Sequence, residues 1–287
     1  MRTRSWRRWA AGALAVAVIA PLAACGGDNE PGPAAPSIVL VALGDSFSSG
    51  EGAPPYDATP KTCQRSDLGW ARRLDADSTA VVSLDLNACA GAKTANLTEP
   101  WASRHLPAQI PTTPDPDVTL VMFTVGGNDV GFGDIVATCF VVSCASVPSS
   151  AGFLGVVNAL TDSLRVNVYP ALERAYPKAE IVHVGYPRLT PAPGRPVEGC
   201  AWLAADEQVA TAQIVAAVND AIQRAADVSQ AVTYLDATEA LAGHELCSGS
   251  SWLQPVRIGG ASQAHPTEEG QRALERAIAA ARHITIT

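Results

Sequence analysis

The sequence predicts an α/β fold, a three-layer α/β/α sandwich around a central, mainly parallel, five-stranded sheet. Two observations predict it. Five short, mostly apolar runs lie at 38–43, 80–86, 118–125, 179–185 and 231–235, as expected of strands covered on both faces. Longer stretches with helical character follow or separate them, at 67–76, 152–176, 204–226 and 267–282; between 209 and 222 the apolar positions recur at helical spacing. Strand and helix in alternation imply parallel pairing, because a parallel neighbour needs a crossover long enough to hold a helix.

Residues 1–24 stand outside that pattern. Arg2, Arg4, Arg7 and Arg8 precede an Ala/Val/Leu/Ile run at 10–20, and Leu22-Ala23-Ala24-Cys25 closes it. This is the layout of a secretory signal, and its apolar run is shorter than the roughly 20 residues a spanning helix needs. The ending resembles a bacterial lipobox, in which Cys25 is lipidated and becomes the new N-terminus. An ordinary small-residue cleavage site is the alternative. Residues 25–36, rich in Gly, Pro and Ala, read as a tether, and 37–287 as a single domain without a composition break or internal repeat. The expected location is outside the cell or on the outer face of its membrane, held there by the lipid.

The cysteines agree with export. Besides Cys25 there are Cys63, Cys89, Cys139, Cys144, Cys200 and Cys247, without the close paired spacing of a zinc site. Three disulfides are the simpler account in an oxidising compartment. Six cysteines allow fifteen pairings, and the residues alone do not choose among them. Charge excludes one class of partner. The chain is net −8 at pH 7, four of its 20 basic residues lie among the first eight, and no Lys/Arg cluster remains to bind nucleic acid.

Long loops are expected at 53–66, 98–117, 132–151, 186–203 and 242–264; they hold five of the six remaining cysteines. In open parallel sheets, sites form outside the carboxyl ends of the strands, and the chemically interesting residues fall there. The first strand runs into Gly44-Asp45-Ser46, where a serine between tight turns projects from the sheet with its amide free, as a nucleophile at an oxyanion site requires. The third ends in Gly126-Gly127-Asn128-Asp129; the Asn128 side chain can donate to an oxyanion without adding charge. The second leads to Gly91, whose amide can serve the same oxyanion. His265-Pro266-Thr267 opens the last helical stretch and offers a fixed base. Of the other histidines, His183 sits within a strand, His283 in the tail and His105 in a Pro-flanked loop; His244 is the weaker rival.

Gly-Asp-Ser at 44–46, Gly91, Gly-Gly-Asn-Asp at 126–129 and His-Pro at 265–266, in this order, resemble the four blocks of the SGNH, or GDSL, hydrolases. The resemblance spans nearly all of 37–287 and is closest to secreted bacterial lipases and esterases. It implies an SGNH-like fold and Ser46 as nucleophile with His265 as base. It also implies an oxyanion hole made by the amides of Ser46 and Gly91 and the Asn128 side chain. Those relatives carry three disulfides in chain order, which implies Cys63–Cys89, Cys139–Cys144 and Cys200–Cys247. The expected substrate is an acyl ester or lipid, cleaved by a monomer without cofactor or metal.

One departure bears on mechanism. Many members place an Asp three residues before the His, and this chain has Ser262 there. The branch resembled orients the His with a main-chain carbonyl, so a Ser–His dyad is expected, with the carbonyl of Ser262 or a neighbour on His265 Nδ1. Glu245 is the fallback acid. Asp45, Asp129 and Glu51 are expected to brace loops. Two other readings stay open: deacetylation of a polysaccharide, with Trp202 and Trp252 forming either a sugar platform or an acyl groove, and a non-catalytic surface lipoprotein that binds lipid or a partner protein.

Overall fold

β1 (Ile38–Gly44) is apolar because both of its faces are covered, and it is buried from Leu40 onward. The chain then runs through α1 (Ser46–Ser49), α2 (Trp70–Asp77), β2 (Val81–Leu86), α3 (Thr94–Thr98), β3 (Leu120–Thr124) and α4 (Phe132–Val141). It continues through α5 (Ala151–Ser163), α6 (Tyr169–Ala175), β4 (Glu180–Val184), α7 (Ala205–Asp227), β5 (Val232–Leu235) and α8 (Glu268–Arg282). The computed structural model describes residues 37–58, 60–192, 203–257, 260 and 262–287, the side chain of Phe140 excepted. The expected signal, tether, Cys25, Cys200 and Trp202 lie outside the described residues.

All five strands pair in parallel, in the order β2-β1-β3-β4-β5. The chain steps from β1 outward to β2, then crosses back to β3 and on to β5. Right-handed crossovers in opposite directions put helices on opposite faces. Accordingly α2 packs on β2 and α8, while α5 packs on α7 and α7 on β5. The strand order reverses between β1 and β3, which opens a crevice at their carboxyl ends. Gly44 pairs in register with Thr124, so both strands leave the sheet at one level. β3 is buried throughout, whereas the edge strands β2 and β5 carry exposed residues between buried ends.

The segment at 132–151, expected as a loop, holds α4 and the start of α5. Gly131 precedes α4 without a side-chain cap, and Gly133 stands in its first turn, so neither an N-terminal signal nor a clean polar face marks it. Packing of Ile135, Val136 and Cys139 on the core holds it instead. A π-helical turn at Leu164–Val168 joins α5 to α6 at Pro170, which lacks the N–H that a regular turn would use. Disulfides link Cys63 to Cys89 and Cys139 to Cys144. Cys247 is also disulfide-bonded. Among the described residues, no helix is long and apolar enough to cross a membrane.

Candidate active site

The turn that carries Ser46 begins where only glycine fits. Gly44 has φ +110°, and a Cβ there would lie 1.9 Å from the Thr124 carbonyl oxygen. The main chain of β1 therefore presses against β3 as it leaves the sheet, and Gln109 clasps Gly44 through both its N–H and its carbonyl, at 2.6 and 2.9 Å. Asp45 caps α1, accepting the Phe47 N–H at 3.1 Å, and Ser46 becomes the first helical residue. Its amide has no acceptor among the described residues, as expected of a first-turn N–H.

Asp45 is buried and carries three bonds. Thr124 Oγ1 donates to Oδ1 at 2.6 Å, and Tyr186 Oη donates to Oδ2 at 2.5 Å. Tyr186 Oη in turn accepts the Gly127 N–H at 3.0 Å. The carboxyl thereby ties the Ser46 turn to the ends of β3 and β4. Burial pushes its pKa up to about 6, against the pull of those donors. Burial and the facing carboxylate push the Tyr186 hydroxyl well above its ordinary value, so it remains a donor. In the loop after β3, Asp129 braces in the same way, accepting from Thr94 N–H and Oγ1.

Asn128 Nδ2 donates to the Ala92 carbonyl at 3.0 Å, which leaves its second N–H for another acceptor. Gly91 sits at the carboxyl end of β2 with φ +81°. Its neighbour Cys89 donates to the Gly44 carbonyl at 2.9 Å and is bonded to Cys63. Arg104, stacked on Trp101, holds the Ala90 carbonyl at 2.6 Å. The Gly91 amide is without an acceptor among the described residues.

His265 reaches Ser46 from the far end of the chain: Nε2 lies 2.7 Å from Oγ. Its Nδ1 is 2.9 Å from the carbonyl of Gln263. A carbonyl only accepts, so Nδ1 carries the proton and Nε2 presents its lone pair to the serine hydroxyl. The expectation named Ser262 first, and the structure corrects it. The Ser262 carbonyl is taken by the His265 main-chain N–H at 3.2 Å, closing a turn in which Ser262 and Ala264 are left-handed. That turn aims the Gln263 carbonyl at the ring instead. His265 and Pro266 also precede α8, which Thr267 caps. Bonds from Gln254 N to His265 O and from Thr267 N to Trp252 O, each 2.8 Å, clamp the segment. Gly52, at φ +98°, allows it to lie on the loop that follows Ser46; a Cβ there would meet the Pro266 carbonyl at 2.3 Å.

Glu51, expected to brace its loop, also lies beside His265. Its carboxylate stands 3.6 Å from His265 Nε2. The Gln64 amide, with its NH₂ turned toward Glu51, reaches both carboxylate oxygens at 2.9 and 3.1 Å. Glu245 is bound by Arg188 and the Gly243 N–H, and His244 stacks on Trp252. His183 is buried between Tyr169 and the Val125 carbonyl, and burial lowers its pKa to about 3. Neither His183 nor His244 contacts Ser46.

Ser46, Asn128 and His265 line one cavity of about 300 Å³, whose remaining wall includes Phe47, Phe132, Val136, Leu189, Val215 and Val218. Gly91 is not among its lining residues. Tyr186, Thr124 and Gln109 were missed from the sequence; Thr124, the last residue of β3, and Tyr186, just past β4, carried a positional signal, and Gln109 carried none.

Residues 42–273 match the GDSL-like lipase/acylhydrolase family. A lipase of Streptomyces rimosus is 33% identical over 232 residues, covering 80% of this chain and 81% of that protein. Lipase 2 of Streptomyces coelicolor is 32% identical over 266 residues, covering 85% of each. Among solved structures, phospholipase A1 from Streptomyces albidoflavus superposes with a TM-score of 0.73 at 30% identity, over 85% of this chain and 99% of that one. An extracellular lipase from Streptomyces rimosus gives 0.72 at 28% identity, over 85% and 100%. The chain belongs to the GDSL-like lipase/acylhydrolase family of carboxylic ester hydrolases.

Proposed function

We propose that this enzyme hydrolyses acyl esters or lipids outside the cell through a Ser46–His265 dyad and an acyl-enzyme intermediate. The observation that carries the reading is the 2.7 Å contact between His265 Nε2 and Ser46 Oγ, with Nδ1 engaged by the Gln263 carbonyl. His265 takes the Ser46 proton as Oγ attacks the ester carbonyl carbon. The resulting oxyanion is held by the amides of Ser46 and Gly91 and by the Asn128 side chain. His265 returns the proton to the leaving alcohol. Water then attacks the acyl-enzyme with His265 again as base, releasing the acid. The Gln263 carbonyl keeps the productive tautomer without adding a second charge.

The apolar wall from Phe47 to Val218 supports an acyl chain as the recognised group. The sugar-platform reading loses support at the described tryptophans. Trp70 is buried in the core, Trp101 stacks on Arg104 and Trp252 on His244. Export and a lipid on Cys25 belong to the same proposal, and mass analysis of the N-terminal peptide from a membrane fraction tests the anchor.

The functional test is hydrolysis of p-nitrophenyl esters from acetyl to palmitoyl, with Ser46→Ala as control. Turnover on medium or long chains that vanishes in the variant supports the reading. Turnover confined to acetyl esters moves the substrate to a deacetylase class, and unaltered turnover in Ser46→Ala contradicts the dyad.

A further inference from the structure

Gly50-Glu51-Gly52 follows the Ser46 turn, and this segment is tied to both Ser46 and His265. The Glu51 N–H donates to the Ser46 carbonyl at 3.1 Å. Beside it, the Gly52 carbonyl accepts from the Gln254 side chain at 2.6 Å, and the Gln254 main-chain N–H donates to the His265 carbonyl at 2.8 Å. Gln254 thus sets the spacing between the two segments, which places the Glu51 carboxylate 3.6 Å from His265 Nε2.

The bonds of this carboxylate are not those of a loop brace. Asp45 and Asp129 each accept a main-chain N–H and a threonine hydroxyl. Among the described residues, the Glu51 carboxylate has only the Gln64 amide as a hydrogen-bond partner, at 2.9 and 3.1 Å. That amide is neutral, so it fixes the carboxylate without cancelling its charge. No Lys or Arg among the described residues comes within 4.0 Å of it. The Glu51 and His265 side chains are only 14% and 22% exposed, so solvent and salt screen the pair little.

In the resting tautomer Nε2 presents a lone pair, which a carboxylate oxygen does not attract. Once Nε2 has taken the Ser46 proton, the ring is a cation with an N–H beside that oxygen. The contact is therefore more favourable after proton transfer than before it, and only interactions of that kind speed a chemical step. At Nδ1 the Gln263 carbonyl supplies a dipole and no charge.

We propose that Glu51 is the electrostatic partner of His265: its carboxylate stabilises, from the Nε2 side, the imidazolium formed when His265 takes the Ser46 proton. The proton passes from Ser46 to His265 and on to the leaving alcohol, and Glu51 accepts none of it. The proposal rests on the Ser46–His265 reading and adds the negative charge which that dyad lacks.

The test is the pH dependence of kcat/KM on p-nitrophenyl butyrate, measured on the full chain as wild type, Glu51→Gln and Glu51→Ala. Without the carboxylate the imidazolium gives up its proton more readily, so the neutral ring persists further into acid. The acid limb is expected to move to lower pH by about half to one unit in both variants. On the plateau kcat should fall roughly threefold to tenfold. The position of the limb does not depend on how much of the protein is folded, so Glu51→Ala reads the same shift whatever its stability.

The other titratable groups nearby are the same in all three proteins. Asp45 and Tyr186 line the cavity, and the carboxylate that bears on Asp45 is Asp129. Tyr56 accepts the Gly52 N–H, and Arg104 senses the Glu51 charge from farther away. On α8, Glu268 is held by Arg73 and Glu269 by Thr267. A displaced limb therefore reports the charge at position 51. A limb that stays in place in both variants, even with a lower kcat, makes Glu51 a brace and overturns the proposal. If Ser46→Ala and His265→Ala are inactive in the same assay, the dyad reading survives that result. Wild-type turnover in His265→Ala overturns both.

Discussion

The two halves of the active site are built differently. The proposed nucleophile and oxyanion donors stand at the ends of β1, β2 and β3, braced by buried side chains. Asp45 joins Thr124 and Tyr186, Asp129 joins Thr94, Gln109 clasps Gly44, and a disulfide ties Cys89 to Cys63. The base stands on a loop before α8 and is oriented by main-chain groups, with Gln263 O on its ring and Gln254 N on its carbonyl. The difference follows from what each half must do. Donors must already point at the position where charge develops, which demands rigid bracing. A base held by a carbonyl depends on the path of the chain, which the Gln254 side chain fixes on the Gly52 carbonyl and the Gln263 side chain fixes on the Arg257 N–H and the Gly260 carbonyl. Substitutions should therefore separate the halves: on the strand side they remove the donors or their bracing, whereas on the loop side, His265 aside, they act only through the position of a carbonyl.

The largest expected effect is at His265. His265→Ala removes the acceptor of the Ser46 proton and should lower kcat by roughly 10⁴-fold or more with little change in KM, read by steady-state ester hydrolysis. Asn128→Ala comes next. Losing one oxyanion donor should reduce kcat by roughly 10²–10³. Gln263→Ala keeps the carbonyl and loses only the side-chain bonds to the Arg257 N–H and the Gly260 carbonyl, so a smaller fall is expected, and one as large as that of Asn128→Ala would erase the distinction between the halves.

Asp45→Asn sharpens the comparison on stability. The folded pKa of Asp45 is raised from 3.8 to about 6, so the unfolded chain releases this proton first. Its contribution to stability is therefore greatest below pH 4, declines as pH rises toward 6, and is level above that. The wild type should lose about 1–3 kcal/mol relative to Asp45→Asn across that interval, measured by urea denaturation at several pH values. A difference that is flat with pH would show that burial does not hold the carboxyl protonated.

The smallest effect is expected at Ser262. Ser262→Gly keeps the carbonyl and relieves a left-handed conformation at φ +53°. Turnover should stay within about threefold and stability should rise by up to ~1 kcal/mol. A hundredfold loss would assign the Ser262 side chain a role that the geometry denies it.

The sheet was legible because buried parallel strands leave continuous apolar runs, and all five appear where those runs predict them. Ser46, Asn128 and His265 were legible because their neighbours are glycine or proline at the end of an element. The Gln263 carbonyl was not, since a main-chain acceptor has no residue type; its aim depends on the turn at Ser262 and Ala264. Tyr186 and Gln109 act on partners 141 and 65 residues away, a relation no local pattern records. α4 escaped because Gly131 and Gly133 mimic a loop and its apolar residues face both the core and the cavity.

The proposed chemistry turns on Ser46 as nucleophile and on His265 as the group that makes it one. The direct measurement is labelling of intact protein with a fluorophosphonate, followed by peptide mapping and by rates for wild type, Ser46→Ala and His265→Ala. A single adduct is expected on Ser46, none in Ser46→Ala, and labelling slowed by orders of magnitude in His265→Ala. An adduct on another residue, or wild-type labelling rates without His265, would contradict it.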